Sequence, residues 1–346
     1  MSDDETRATL REARRGVTIA DVARVADVSL GTVSNVLNGT RPVSPDRRER
    51  VQRAMEQLGY QPNLYAQGLR RGRNGIVGVC VPHVANTYFM RLVDVFERLS
   101  VAQGFETVHV YARRDADHLR EKIDWLIKFK VGGLIMLPSI DARDTVEAIA
   151  RSSIPAVIID RPIDDTRFDQ VVTDAAGAME RIINGLVARG HRNVLFVTAS
   201  RAFLVTRVRT AGLERAQAAL PGLHAKVIEV GQSEDGVEPA LAPEFMRDDP
   251  PTAIVVGSAR IAELLFRALR RLGPLVRRWP AIVSFDSPEW ADLSSPPISV
   301  VRPPVEAISA LAWELLVRRM RGVDKPPEHH LLAAEVDLGA AWIAER

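Results

Sequence analysis

From residue 75 onward the chain repeats one pattern: a short run of apolar residues, then an amphipathic stretch long enough for a helix. The runs are 76–82 (IVGVCVP), 106–112 (ETVHVYA), 132–138 (GGLIMLP), 156–160 (AVIID), 193–199 (NVLFVTA), 225–230 (AKVIEV), 253–257 (AIVVG) and 281–286 (AIVSFD). Amphipathic stretches such as 88–103, 119–129, 175–189, 207–220 and 261–272 lie between them. Strands that are apolar throughout, each followed by a helix, predict parallel sheets covered on both faces. About eight such units over some 220 residues predict two successive lobes rather than one large sheet. A break is expected near 172–177 and a return near 299–304. Ligands of such folds bind at the carboxyl ends of the strands, here in a cleft between lobes. No Gly-x-Gly-x-x-Gly follows a strand and no Walker-type loop is present, so no cofactor is expected.

The first 74 residues follow a different pattern. Thr18 is a good helix N-cap, and Ile19, Val22, Ala23 and Ala26 behind it share one helical face. Ser29 caps a second helix whose inner face is Val33, Val36 and Leu37, with Asp27 and Val28 forming the turn between them. That turn needs a backbone with positive φ, which Asp tolerates better than most residues. Ser44, Pro45 and Gly59 bracket a third helix with Val51, Ala54, Met55 and Leu58 as its buried stripe. Two short helices with a tight turn are the geometry for laying a helix in the major groove of DNA. Charge agrees: residues 11–73 hold twelve Arg, no Lys and six acidic residues, a net of +6, while the whole chain is only +2. Such a cluster neutralises phosphates and makes affinity fall with salt.

No stretch approaches the roughly 18–20 continuous apolar residues of a membrane span. The first sixteen residues are polar, without the apolar core of an export signal, and are expected to be a disordered tail. The single cysteine, Cys80, excludes an internal disulfide and a cysteine-based metal site and is expected in a buried strand. These features predict a cytoplasmic protein.

Together the residues resemble the lactose-repressor (LacI/GalR) family of bacterial transcription regulators. The resemblance rests on 18–39 (TIADVARVADVSLGTVSNVLNG) and 43–63 (VSPDRRERVQRAMEQLGYQPN) in the head. In the body it rests on 76–89 (IVGVCVPHVANTYF), 131–139 (VGGLIMLPS), 157–162 (VIIDRP), 190–197 (GHRNVLFV) and 285–308 (FDSPEWADLSSPPISVVRPPVEAI). It implies an all-α helix-turn-helix head on a two-lobed, periplasmic-binding-protein-like α/β core with parallel sheets. The expected organisation is a tail at 1–17, a DNA-binding domain at 18–61, a hinge at 62–74 and a core at 75–346. Within the core, one lobe takes about 75–173 plus 300–334, and the other about 174–299 plus 335–346. The implied function is repression from a pseudo-palindromic operator by a homodimer, controlled by a small-molecule effector.

The resemblance also implies residue roles. Leu30 and Gly31 face bases, and Thr32, Ser34 and Asn35 lie close to bases or phosphates. Thr18, Ser29 and Asn63 complete the expected DNA-binding set. Asn35 stands where Arg is usual and suits adenine N6 and N7 rather than guanine. Leu30 offers only apolar contact, for example to a thymine methyl, and Gly31 offers no side chain. Leu69 in the hinge matches a leucine wedge that opens a central base step. Gly68 lowers the helix propensity there, so DNA is expected to order this segment.

For the effector, the resemblance points to Asn86, Tyr88, Phe89, Arg161, Arg209 and Asp286. Ser258 and Ala259 stand where Asn-Asp is usual, Arg113 and Arg114 where small polar residues are, and His83 where Asp is. An anionic effector held by some of Arg113, Arg161 and Arg209 is therefore expected. A periplasmic sugar-binding protein would share the body but not the basic head. An enzyme is disfavoured: His83, His109, His118, His191 and Asp286 make no nucleophile–base or metal spacing.

Overall fold

A computed structural model describes residues 17–38, 41–60, 75–84, 86–113, 115–138, 142–231, 233–286 and 290–339. The tail, the hinge with Asn63 and Leu69, and Arg114 lie outside the described residues, apart from Val17 at the edge of the tail. The chain divides into two compact units, Met1–Asn74 and Gly75–Arg346.

The first unit contains α1 (Ile19–Val25), α2 (Leu30–Asn38) and α3 (Pro45–Leu58). Val22, Ala23, Ala26, Val33, Val51 and Ala54 are buried together between the three helices. Thr18 caps α1 in a reciprocal box. Its Oγ1 accepts from Asp21 N at 3.4 Å, and its own N donates to Asp21 Oδ2 at 3.0 Å. The turn does use positive φ, +50° at Asp27. Gly59 closes α3 in the left-handed region, where a side chain would be strained. Ser44 stands at the N-cap of α3 but its side chain makes no capping bond; Pro45 begins the helix instead.

The second unit holds two six-stranded sheets. The first contains β1 (Ile76–Val81), β2 (Glu106–Tyr111), β3 (Gly133–Met136), β4 (Ala156–Asp160), β5 (Asp169–Thr173) and β11 (His329–Leu332), in the order β11-β5-β4-β3-β1-β2. The second contains β6 (Asn193–Thr198), β7 (His224–Glu229), β8 (Ala253–Val256), β9 (Ala281–Phe285), β10 (Ser299–Arg302) and β12 (Glu335–Asp337), in the order β12-β10-β9-β8-β6-β7. Among the described residues every strand pairing is parallel except β12 with β10. The helices α4 (Thr87–Ala102), α5 (Ala116–Lys128), α6 (Arg143–Ser152) and α11 (Val305–Met320) flank the first sheet. The helices α7 (Ala175–Ala188), α8 (Leu204–Ala219), α9 (Val237–Phe245) and α10 (Ala259–Leu272) flank the second. Each sheet is buried on both faces, which is why its central strands read as continuous apolar runs. Cys80 is buried in β1, and burial pushes its thiol up to about 12.

Three short segments carry the chain between lobes, after β5, after β10 and after β11. The second corrects the expected boundary. Residues 300–302 pair with β9 and β12 and so belong to the second sheet; the chain returns to the first lobe at 303. Four strands absent from the sequence reading, β5, β10, β11 and β12, are short and carry polar or charged residues, which masks the apolar run.

Candidate functional site

In the head, the first turn of α2 is the exposed feature. Leu30 is 47% exposed and Gly31 is exposed beside it. Ser29 Oγ accepts from Thr32 N at 3.1 Å and lies 2.9 Å from Thr32 Oγ1, so these two hydroxyls serve each other. Ser34 and Asn35 are half-buried and each is engaged by another group. Thr18 directs its hydroxyl to Asp21. Hydrogen bonds from the Thr18 side chain and backbone hold that carboxylate down at about 2. Arg50 ties the turn to α3, its Nη1 donating to Asp27 O at 3.4 Å. Arg41, Arg47 and Arg48 are exposed, and no ion pair joins them to another described residue.

In the core, a cavity opens between the lobes at the carboxyl ends of both sheets, as this topology dictates. Its empty space, counted out to the mouth, is about 820 Å³. Of the residues expected there, Asn86, Tyr88, Phe89, Arg161, Arg209 and Asp286 line it. Arg113 does not. It follows β2, the edge strand, in the left-handed region at φ +55°, and its side chain is exposed. The cationic trio expected from the sequence is therefore reduced to two.

Those two arginines are balanced. Asp160 ends β4 and Asp286 follows β9, the third strand from the same end of each sheet. Both adopt left-handed backbone, φ +66° and +68°, a strained conformation for a residue with a side chain and one that concentrates at binding sites. Asp160 Oδ1 accepts from Tyr88 Oη at 2.6 Å and from Thr173 Oγ1 at 3.0 Å, and Arg161 Nε lies 3.6 Å from its other oxygen. Asp286 accepts a hydrogen bond from the Asn86 side chain across the cleft, while Asn86 Oδ1 caps α4 by accepting from Tyr88 N. Burial raises the Asp286 carboxyl above the usual carboxylate range, against the pull of Arg209. Burial also pushes the Tyr88 hydroxyl well up, and Asp160 beside it adds to the shift.

Arg209 Nη1 donates to Gly257 O at 2.7 Å, and its guanidinium lies 3.8 Å from the centre of the Phe285 ring. Burial brings it down to about 10, so it stays charged near neutrality. Arg161 Nη1 donates to Pro138 O at 3.1 Å. The Nε–H groups of both arginines are buried without a hydrogen-bond acceptor. Buried donors in that condition are uncommon and costly, and here they edge a cavity. Asp160, Thr173 and Phe203 line this cavity yet were not singled out from the sequence. Asp160 had a signal, as the sole charge ending the run AVIID.

Comparison with known proteins finds matches in both units of the chain. Residues 18–63 match the model of bacterial regulatory proteins of the lacI family, and residues 183–340 match that of the periplasmic binding protein-like domain. The HTH-type transcriptional regulator PtxS of Pseudomonas putida is 30% identical over 317 residues, covering 89% of this chain and 91% of the relative. The catabolite control protein A of Priestia megaterium is 27% identical over 307 residues, 88% of this chain and 92% of the relative. The lac repressor dimer bound to operator and the anti-inducer ONPF shares the fold. Its TM-score is 0.80 at 24% identity, over 93% of this chain and 98% of that one. With a helix-turn-helix head, a two-lobed core and relatives matching along nearly its whole length, this chain belongs to the lacI family of bacterial transcription regulators.

Proposed function

We propose that this chain is a cytoplasmic homodimeric repressor whose grip on a pseudo-palindromic operator is set by an uncharged, polyhydroxylated ligand held between its lobes. The ligand class rests on one observation. Two half-buried arginines, each with a buried and unused Nε–H donor, face the same cavity as two half-buried aspartates. A hydroxyl can accept from the first and donate to the second, so a polyol answers both demands without adding charge. An anion would bring a third negative charge beside Asp160 and Asp286 in a buried site, where repulsion is poorly screened. Arg113, part of the basis for expecting an anion, stays at the surface.

Dimerisation follows from the reading of DNA. One short helix specifies few bases, and two heads related by symmetry read two half-sites about a helical turn apart. The lac repressor structure of like fold is a dimer on operator. Ligand binding alters lobe closure and thereby the spacing of the two heads, provided that the two arrangements bind it with different affinity. Binding alone, with no chemical step, is the role proposed for the cleft.

The test has two parts. Operator sequences are selected from a random duplex pool with the full-length protein. Calorimetry then compares neutral sugars and polyols with their phosphorylated and carboxylated counterparts, and operator affinity is remeasured with each binder. A neutral binder that shifts operator affinity supports the proposal. Tight binding by anions alone overturns the ligand class, and absence of preference for any duplex overturns the operator reading.

A further inference from the structure

We propose that residues 270–278 form a docking surface for an acidic protein segment that carries an apolar side chain. They lead into the amino end of β9, whereas the cavity lies at the carboxyl ends of the strands, so the surface is remote from the cleft. The stretch RRLGPLVRR holds four arginines and no acidic residue, and all four arginines are exposed. Arg270 and Arg271 close α10, where cations complement the carbonyl end of a helix. That accounts for neither Arg277 nor Arg278, which lie beyond the helix. Among the described residues no ion pair joins Arg270 or Arg277 to a carboxylate, while Arg278 is engaged by another group.

The second observation is an apolar side chain held out among these charges. Leu275 is 40% exposed. Its backbone is well defined. Gly273 takes φ +47°, which a side chain would strain, and Pro274 restricts the next residue. Gly273–Leu275 closes as a 3-10 turn, with Val276 N donating to Gly273 O at 3.0 Å. Val276 and Trp279 pack against the apolar core of the second lobe. Arg271 is held by Glu234 at 2.5 Å and by Glu238 at 2.8 Å. A surface ordered in advance loses little freedom on binding. Its chemistry selects the partner. Arginine clusters take carboxylates through charge-assisted hydrogen bonds, and arginine is enriched where interfaces gain most of their energy. A phosphodiester backbone would meet the arginines but give Leu275 no apolar partner. A membrane surface holds a protein in proportion to the apolar area buried, and one leucine buries little. Carboxylates around an apolar residue answer both features.

The experiment uses full-length protein with excess duplex present, so that the basic head is occupied. Fluorescence anisotropy follows a short labelled peptide of glutamate and aspartate interrupted by leucine, and the same peptide with serine in place of leucine. The leucine peptide is expected to bind, more weakly as salt rises. The serine peptide should bind about tenfold more weakly, and Leu275→Ser should cost the leucine peptide about the same, the worth of burying one leucine side chain. R270E/R277E should weaken the leucine peptide about tenfold or more, through loss of charge-assisted hydrogen bonds. The milder R270Q/R277Q should weaken it about threefold or more. Melting temperature, operator affinity and binding in the cleft should match the parent in every variant. Absence of peptide binding overturns the proposal, as does binding that none of these variants weakens or that ignores the leucine. Phosphatidylglycerol vesicles bound more tightly than the peptide, and released in R270E/R277E, would overturn the choice of a protein partner. A fall in operator affinity in that variant would assign the patch to DNA and overturn it equally.

Discussion

Arg209 shows how much a single residue can be asked to do. Its guanidinium spans a backbone carbonyl, an aromatic ring and the field of two carboxylates, yet keeps one donor unused. A bound oxygen atom would complete that set. Hydrogen bonds to charged groups contribute about 1.5–3 kcal/mol, so Arg209→Met should weaken the ligand by roughly ten- to a hundredfold in calorimetry. Asp160→Asn should weaken it comparably, because with the amide oxygen still accepting from Tyr88 and Thr173 its NH2 would replace the oxygen that faces Arg161 Nε, setting donor against donor and removing a negative charge from the site. Operator affinity of the ligand-free protein should change little in either variant. Asp160 also shows where residue-level reading stops. Its charge at the end of AVIID is visible in the sequence, but its place opposite Asp286 depends on two strands more than a hundred residues apart meeting across a cleft.

At the level of elements, the last helix and strand of the first lobe are pinned by one ion pair whose carboxylate is buried. Asp169 at the start of β5 receives Arg319 of α11 through Nε at 2.8 Å and Nη2 at 2.9 Å, and Glu328 N ahead of β11 at 2.7 Å. Burial alone would raise this carboxyl, but the hydrogen bonds from Arg319 and Glu328 outweigh it and hold it below the usual range. A depressed acid contributes stability that is present above its unfolded value, about 4, and is lost as pH falls through the folded one. Asp169→Asn should therefore flatten the acid limb of the core's stability profile. Arg319 is only half-buried and keeps the Lys325 and Pro326 carbonyls as partners, so the loss is that of charge-assisted hydrogen bonds, about 1.5–3 kcal/mol, which denaturant melts at neutral pH would register. In the head, Thr18→Ala should cost about 1 kcal/mol through loss of the cap on α1, read as a lower melting temperature of that unit. The cap of α1 was legible because it depends on residues three apart. The strand β5 was not, because DQVVT holds only two buried aliphatic side chains and its polar ends are satisfied by partners distant in sequence.

For the whole molecule, the division at residue 74 predicts separable roles. A chain reduced to residues 75–346 should keep its ligand affinity and lose operator binding at physiological salt, by calorimetry and by fluorescence anisotropy on labelled duplex. In the intact protein, the logarithm of operator affinity should fall linearly with the logarithm of salt concentration, with a slope of about −0.9 for each phosphate neutralised. Gripping of the operator by the truncated core would contradict the assignment of DNA reading to the head. No described helix is long and apolar enough to cross a membrane.

Local order decided the helix caps, the positive-φ turn at Asp27, the buried face of each head helix and the apolar central strands. Each of these depends on residues within a turn or a strand of one another, so periodicity and capping chemistry suffice. The charge balance of the cleft, the surface position of Arg113, the place of 300–302 in the second sheet and the pairing of Asp169 with Arg319 were decided only when distant segments packed. Burial and the field of neighbouring charges are properties of that packing, and no spacing along the chain encodes them.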